Sequence, residues 1–112
     1  MINQKIMQST LKVFKFGGAS VKDAQSVLNV VDLIKKYNSE RLVVAVSAMG
    51  KTTNKLESLF EALRQNHQSR FSEEASELKN FHLNICKDLF EGQDLEKIQK
   101  QITTYFDEIH QF

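Results

Sequence analysis

Proline and tryptophan are absent from this 112-residue chain, and glycine occurs only four times. Average usage would place about five or six prolines in such a length. Two accounts of that deficit stay open: a helix-rich piece with few turns, or part of a larger protein whose loop-rich portions lie elsewhere. Cys86 is the single cysteine, so an internal disulfide is excluded and a cytoplasmic setting fits. No apolar run approaches the ~20 residues that span a bilayer. The stretch from Met1 to Thr10 lacks the apolar core of a signal peptide and reads as a disordered leader. The formal net charge of +1 gives no electrostatic footing for nucleic acid or an anionic membrane. What remains is ordinary globular composition, 41% hydrophobic and 26% charged.

Leu11-Lys12-Val13-Phe14-Lys15-Phe16 reads as a strand with apolar residues on both faces, as in buried parallel strands. Gly17-Gly18 breaks it. A helix is predicted over roughly 20–37, since Ala24, Val27, Leu28, Val31 and Ile34 recur at helical spacing, with Ser20 and Asp23 as a capping box. Arg41-Leu42-Val43-Val44-Ala45-Val46 is the strongest strand signal. Strand, helix and strand at this spacing make a βαβ unit. A polar loop over Ser47–Thr53 follows, and Asn54 or Thr53 is expected to cap a helix lined by Leu56, Leu59, Phe60 and Leu63. The remaining third reads as helical. One stripe runs through Phe71, Ala75, Leu78, His82, Ile85 and Leu89 to a stop at Gly92. Another starts at Asp94 and turns Leu95, Ile98, Ile102, Tyr105, Phe106 and Ile109 inward. Two parallel strands alone make a poor sheet, so further strands are expected elsewhere, and unsatisfied edges favour self-association.

Two segments carry chemistry. In Lys15-Phe16-Gly17-Gly18-Ala19-Ser20, a lysine ends a strand at the sheet edge where open α/β folds bind ligands. The glycines let backbone N–H groups approach a ligand, and a following helix N-terminus would add positive potential. That combination suits phosphate; the plainer account is a tight strand-to-helix turn with a solvated lysine. The second segment, Ser47-Ala48-Met49-Gly50-Lys51-Thr52-Thr53-Asn54, also leaves a strand and enters a helix, so it belongs to the same sheet edge. Its hydroxyls could bind a small polar substrate or merely cap the helix. Ala45 to Thr52 nearly spells the P-loop G-x-x-x-x-G-K-[ST], but Ala45 replaces the first glycine within a run of strand formers, and a P-loop leaves Lys15-Phe16-Gly17-Gly18 without a role.

Lys15-Phe16-Gly17-Gly18-Ala19-Ser20-Val21 resembles the K-F-G-G-T-S-V signature that opens aspartate kinases. Val44 to Leu56 is similar to their second motif, V-V-S-A-x-x-x-x-T-[ND]-x-L, in the right order and one helix away. The resemblance implies an α/β amino acid kinase fold, here partial: an N-terminal βαβ unit followed by three helices over residues 11–112. It implies transfer of the γ-phosphoryl of MgATP to the side-chain carboxylate of L-aspartate, on the route to lysine, threonine and methionine. Lys15 would be catalytic, holding the β/γ-phosphates with Phe16, Gly17, Gly18 and Ser20, while Ser47 and Thr53 would bind aspartate. Phosphoryl transfer relies on positioning and electrostatics, which suits these residue types. Ala19 departs from the usual threonine. Length departs further, because a complete kinase domain of this family is well over twice as long. The adenine and Mg2+ sites, the acidic aspartate contact and the regulatory domains are therefore expected beyond Phe112, and the chain alone is expected to be inactive. The kinase part of a bifunctional aspartokinase–homoserine dehydrogenase is a close variant, and a non-catalytic helical dimerisation module is the alternative of another class.

Outside these motifs the expectations are structural. His67, His82 and His110 lack metal-ligand spacing, with His82 packed on a helix and the other two at the surface. Cys86 reads as a core residue. ATP and L-aspartate are the expected partners of a homo-oligomer that engages neither nucleic acid nor membrane.

Overall fold

The computed structural model describes residues 10–112. The leader expected over 1–10 lies, Thr10 apart, outside the described residues. The fold comprises two compact units, one ending at Gly50 and the other beginning at Lys51.

In the first unit, β1 (Leu11–Phe16) and β2 (Arg41–Val46) pair in parallel, with Leu11 opposite Arg41 and Phe16 opposite Val46. Both strands match their expected limits, because each is a dense run of strand formers closed by turn residues. A 3-10 turn, Gly18–Val21, precedes α1 (Ala24–Lys35). The predicted capping box does not form. Ser20 lies within the 3-10 turn, and Asp23 alone caps α1 by accepting the Ser26 N–H at 2.8 Å. The helix stops at Lys35, and Tyr37 to Glu40 close a turn through a 3.0 Å bond from the Glu40 N–H to the Tyr37 carbonyl. Tyr37 packs edge-on against Phe14, while Lys12 reaches over its ring to pair with Glu40 at 2.9 Å.

Apolar cover was expected on both faces of the sheet, yet it is one-sided. Phe14, Leu42 and Val44 are half-buried and Phe16 is buried. The opposite face leaves Leu11, Val13 and Val43 at 53%, 64% and 47% exposure. Among the described residues the sheet has two strands, too few to clothe both sides.

The second unit is α2 (Thr52–Arg64), α3 (Gln68–Leu89) and α4 (Gly92–His110). Its core joins Leu59 and Ala62 of α2 to Phe71, Ala75 and Leu78 of α3 and Phe106 of α4, rimmed by Leu63, Phe81, Ile102 and Ile109. Burying an aromatic of this size is worth roughly 2–3 kcal/mol in transfer free energy. The stripe assigned to α2 is rotated: Leu59 and Ala62 point inward, whereas Phe60 stays 65% exposed and Leu56 is also exposed. Ala62 is fully buried in the core cluster, where its small side chain permits close helix approach. On α4, Phe106 takes the inward place and Tyr105 is 62% exposed. A helix can turn only one of two adjacent residues fully toward a single partner. Across α2 and α3, the Ser58 hydroxyl donates to both Glu74 carboxylate oxygens, at 3.0 and 2.8 Å, and accepts from Arg70 Nη2 at 2.9 Å.

Helix boundaries differ from expectation in two more places. Neither Thr53 nor Asn54 caps α2, since both already lie in its first turn and Lys51 holds the cap position without a side-chain bond. Gly92 is not the stop of α3, which ends at Leu89; with φ +56° it opens α4 two residues before the expected Asp94. Cys86 is buried, and burial pushes its thiol pKa up. His82 is half-buried, with Nδ1 2.9 Å from the Leu78 carbonyl and its ring against Phe81 and Phe106. Among the described residues no helix is long and apolar enough to cross a membrane.

Candidate functional site

Parallel pairing sends both strands out of the sheet at the same end, so the turns after Phe16 and after Val46 emerge side by side. Two backbone bonds join them. The Ser47 N–H donates to the Phe16 carbonyl at 2.9 Å, extending the ladder past the last strand pair. Further out, the Gly50 N–H donates to the Gly18 carbonyl at 3.0 Å. Gly50 has φ +58°, a left-handed conformation that glycine adopts without steric cost, and this sharp bend brings its amide back to the first turn.

Lys15 lies opposite Ala45 in the register and is exposed on the same bare face as Val13. Phe16 points the other way and is buried. The two adjacent glycines differ. At Gly17, φ −77° and ψ 175° are open to any residue, and an added Cβ would meet nothing within 4 Å. At Gly18, an added Cβ would collide with the Gly50 carbonyl oxygen and lie 3.2 Å from that of Ala48. Gly18 is thus required by a backbone crossing, while Gly17 leaves open space beside the chain.

Ser20 is exposed, its N–H bonded to the Gly17 carbonyl at 3.0 Å, and it lines a cleft of about 270 Å³ with Phe16, Ser26, Asn29, Val30 and Leu33. The helix N-terminus expected directly behind the glycines is displaced. A 3-10 turn intervenes, and α1 begins behind Asp23, whose carboxylate already caps it. The Ser26 hydrogen bond holds the Asp23 carboxyl below its ordinary pKa, keeping negative charge at that helix end. Positive potential at the first turn therefore comes from nearby lysines and local N–H groups rather than from the start of α1.

Ser47 is exposed at the start of the second turn. Thr53 belongs to the helical unit, where it is exposed in the first turn of α2. Lys15, Phe16, Gly17, Gly18, Ser20 and Ser47 all lie at the end of the sheet in the first unit, Lys15 on the bare face and Phe16 and Ser20 on the cleft side, while Thr53 belongs to the other unit. Sequence reasoning passed over Gly50 as a site residue. Its signal was a glycine within a polar loop directly after a strand, where a left-handed residue is often required. No group of three or more His, Cys, Asp or Glu side chains that could hold a metal occurs among the described residues.

Residues 10–105 match the sequence model of the amino acid kinase family. Aspartokinase 2, chloroplastic, of Arabidopsis thaliana is 39% identical over 94 residues, covering 80% of this chain and 16% of that protein. The bifunctional aspartokinase/homoserine dehydrogenase 1, chloroplastic, of Zea mays is 32% identical over 90 residues, 80% of this chain and 10% of its own length. An aspartokinase from Bacillus sp. (strain MGA3) is 50% identical over 48 residues, 41% of this chain and 12% of its own. The chain spans about one sixth or less of the length of these relatives.

Proposed function

The chain belongs to the amino acid kinase family, its βαβ unit and three helices forming part of that family's α/β fold, and from that premise we propose that residues 11–112 are the N-terminal part of an aspartate kinase domain. The reaction is phosphoryl transfer from MgATP to the side-chain carboxylate of L-aspartate, giving 4-phospho-L-aspartate. One observation carries the reading: a lysine-and-glycine turn and a hydroxyl-bearing turn leave neighbouring parallel strands at one sheet edge and are tied by the Ser47–Phe16 and Gly50–Gly18 bonds.

On this reading Lys15 places a fixed positive charge against the β/γ-phosphates and offsets the negative charge that builds up as the bond to the γ-phosphorus breaks. The open flank of Gly17 lets phosphate oxygens approach main-chain N–H groups. Phe16, buried, anchors the strand end that carries Lys15. Gly18 and Ser20 continue the phosphate turn. Ser47 and Thr53 supply hydroxyls that orient the aspartate carboxylate for in-line attack. Mg2+ bound with the nucleotide would supply neutralisation of phosphate charge, and its ligands would come chiefly from other parts of a complete kinase. Single-function and bifunctional relatives alike carry aspartokinase in their names. A cytoplasmic homo-oligomer that engages neither nucleic acid nor membrane is part of the same reading.

Calorimetric titration with MgATP tests it. The chain binds MgATP, Lys15→Ala abolishes the heat of binding, and a coupled assay detects no aspartate-dependent ATP turnover by the chain alone. Binding that survives Lys15→Ala, or no binding at all, overturns the phosphate site and favours a purely structural helical module. Turnover by the isolated chain overturns the division of the active site between this segment and the rest of a kinase.

A further inference from the structure

We propose that the two adjacent glycines have separate duties: Gly17 is the ligand-facing residue, and Gly18 is a positioning residue that couples the phosphate turn to the acceptor turn. The ligand half rests on the kinase reading; the coupling half rests on geometry alone. Gly17 takes a backbone conformation that alanine tolerates, and a Cβ there would enter open space. Neither packing nor conformation in this chain asks for glycine at 17, so its open flank is free for the approach of an external group.

Gly18 is the opposite case. Its carbonyl accepts the Gly50 N–H at 3.0 Å, and its missing Cβ makes room for the carbonyl oxygens of Gly50 and Ala48. Gly50 is held in a left-handed conformation at the same crossing. Two glycines from different turns therefore meet backbone to backbone, and a second bond, Ser47 to Phe16, sits behind them. A displacement of the first turn on anion binding pulls on the Gly18 carbonyl. Through Gly50 it then moves the loop whose first residue is Ser47. Loading of the phosphate turn is thereby transmitted to the acceptor turn with no side chain as intermediary.

Amide hydrogen exchange and amide chemical shifts of the full 112-residue chain test this in two arms. Without ligand, Gly18→Ala lowers the exchange protection of the Gly50 and Ser47 amides at least tenfold, whereas Gly17→Ala leaves both unchanged. Unchanged protection in Gly18→Ala overturns the coupling. Should Gly18→Ala fail to fold, the wild-type chain decides: coupled amides share one protection factor and one denaturant dependence, and independent opening of Gly50 and Ser47 overturns the proposal. With MgATP, the wild-type Gly50 and Ser47 amides shift along with Gly17, a signature that a purely structural glycine would not produce, and Gly17→Ala weakens binding at least tenfold. A shift confined to Gly17 overturns the transmission, and unimpaired binding by Gly17→Ala overturns its ligand-facing role. Absence of any MgATP response in the wild-type chain counts against the kinase reading and the duty given to Gly17, and leaves the ligand-free arm to decide the coupling.

Discussion

Replacing Glu74 by glutamine removes one negative charge from the bridge between α2 and α3 while nearly preserving shape. In the native chain the Ser58 hydroxyl donates to both carboxylate oxygens and Arg70 Nε approaches Oε1 at 3.3 Å. The Ser58 hydrogen bond, with Arg70 behind it, holds the Glu74 carboxyl below the ordinary glutamate value of 4.5. A hydrogen bond to a charged group contributes about 1.5–3 kcal/mol when well buried. The Glu74 side chain is 25% exposed and that of Arg70 35%, so solvent screening brings this down to about 1 kcal/mol. Glutamine keeps one oxygen for Ser58, which makes the expected loss at neutral pH roughly 0.5–1 kcal/mol, or about 2–8 °C in Tm for a unit of this size. Because the folded-state pKa is depressed, the stabilisation is complete above the ordinary carboxylate range and disappears as pH falls through the lower folded value. Urea denaturation followed by helical ellipticity should therefore show Glu74→Gln less stable than wild type at pH 7, with a narrower gap at pH 3. Ser58→Ala should cost about 1 kcal/mol, with a double mutant that is less than additive. An equal gap at both pH values, or no gap at pH 7, would refute the assignment of this charge to inter-helix stability.

Two further outcomes follow from single sites. Cys86 is buried with its thiol pKa raised by desolvation, so alkylation by iodoacetamide should be slow in the native chain and accelerate only on unfolding; rapid native labelling would show the α3 core to be open. Gly92 sits at φ +56° with free space around it, so Gly92→Ala should lose about 1 kcal/mol through backbone strain alone, and Gly92→Asn less; thermal melts of the two variants compare them directly.

The strands were legible because each is rich in strand formers and closes on turn residues, a signal that needs no tertiary context. The site's outline was legible for a related reason: turns at the C-terminal ends of neighbouring parallel strands must share an edge. Helix starts were less so. Ser20 and Asp23 are both good capping residues, and only the 3-10 turn settles that Asp23 does the capping. Which of Phe60 or Ala62, and of Tyr105 or Phe106, would point inward depends on the neighbouring helices, since periodicity alone tolerates a rotated stripe. Gly17 and Gly18 look alike in sequence. They separate only once the Ala48 and Gly50 carbonyls are placed against one of them.

The bare side of the two-stranded sheet bears on how tightly the first unit holds its shape. Leucine and valine left about half in water contribute only part of their possible burial to its folding, so the unit relies chiefly on a single flank, and small units of this kind have little margin. Its resistance to unfolding is then set by its surroundings as much as by its own contacts. Anything that settles on those side chains, or grips the turns at the sheet's end, adds free energy in proportion to the logarithm of its concentration over its dissociation constant. The rigidity of the Gly17-Gly18 turn is accordingly an adjustable quantity.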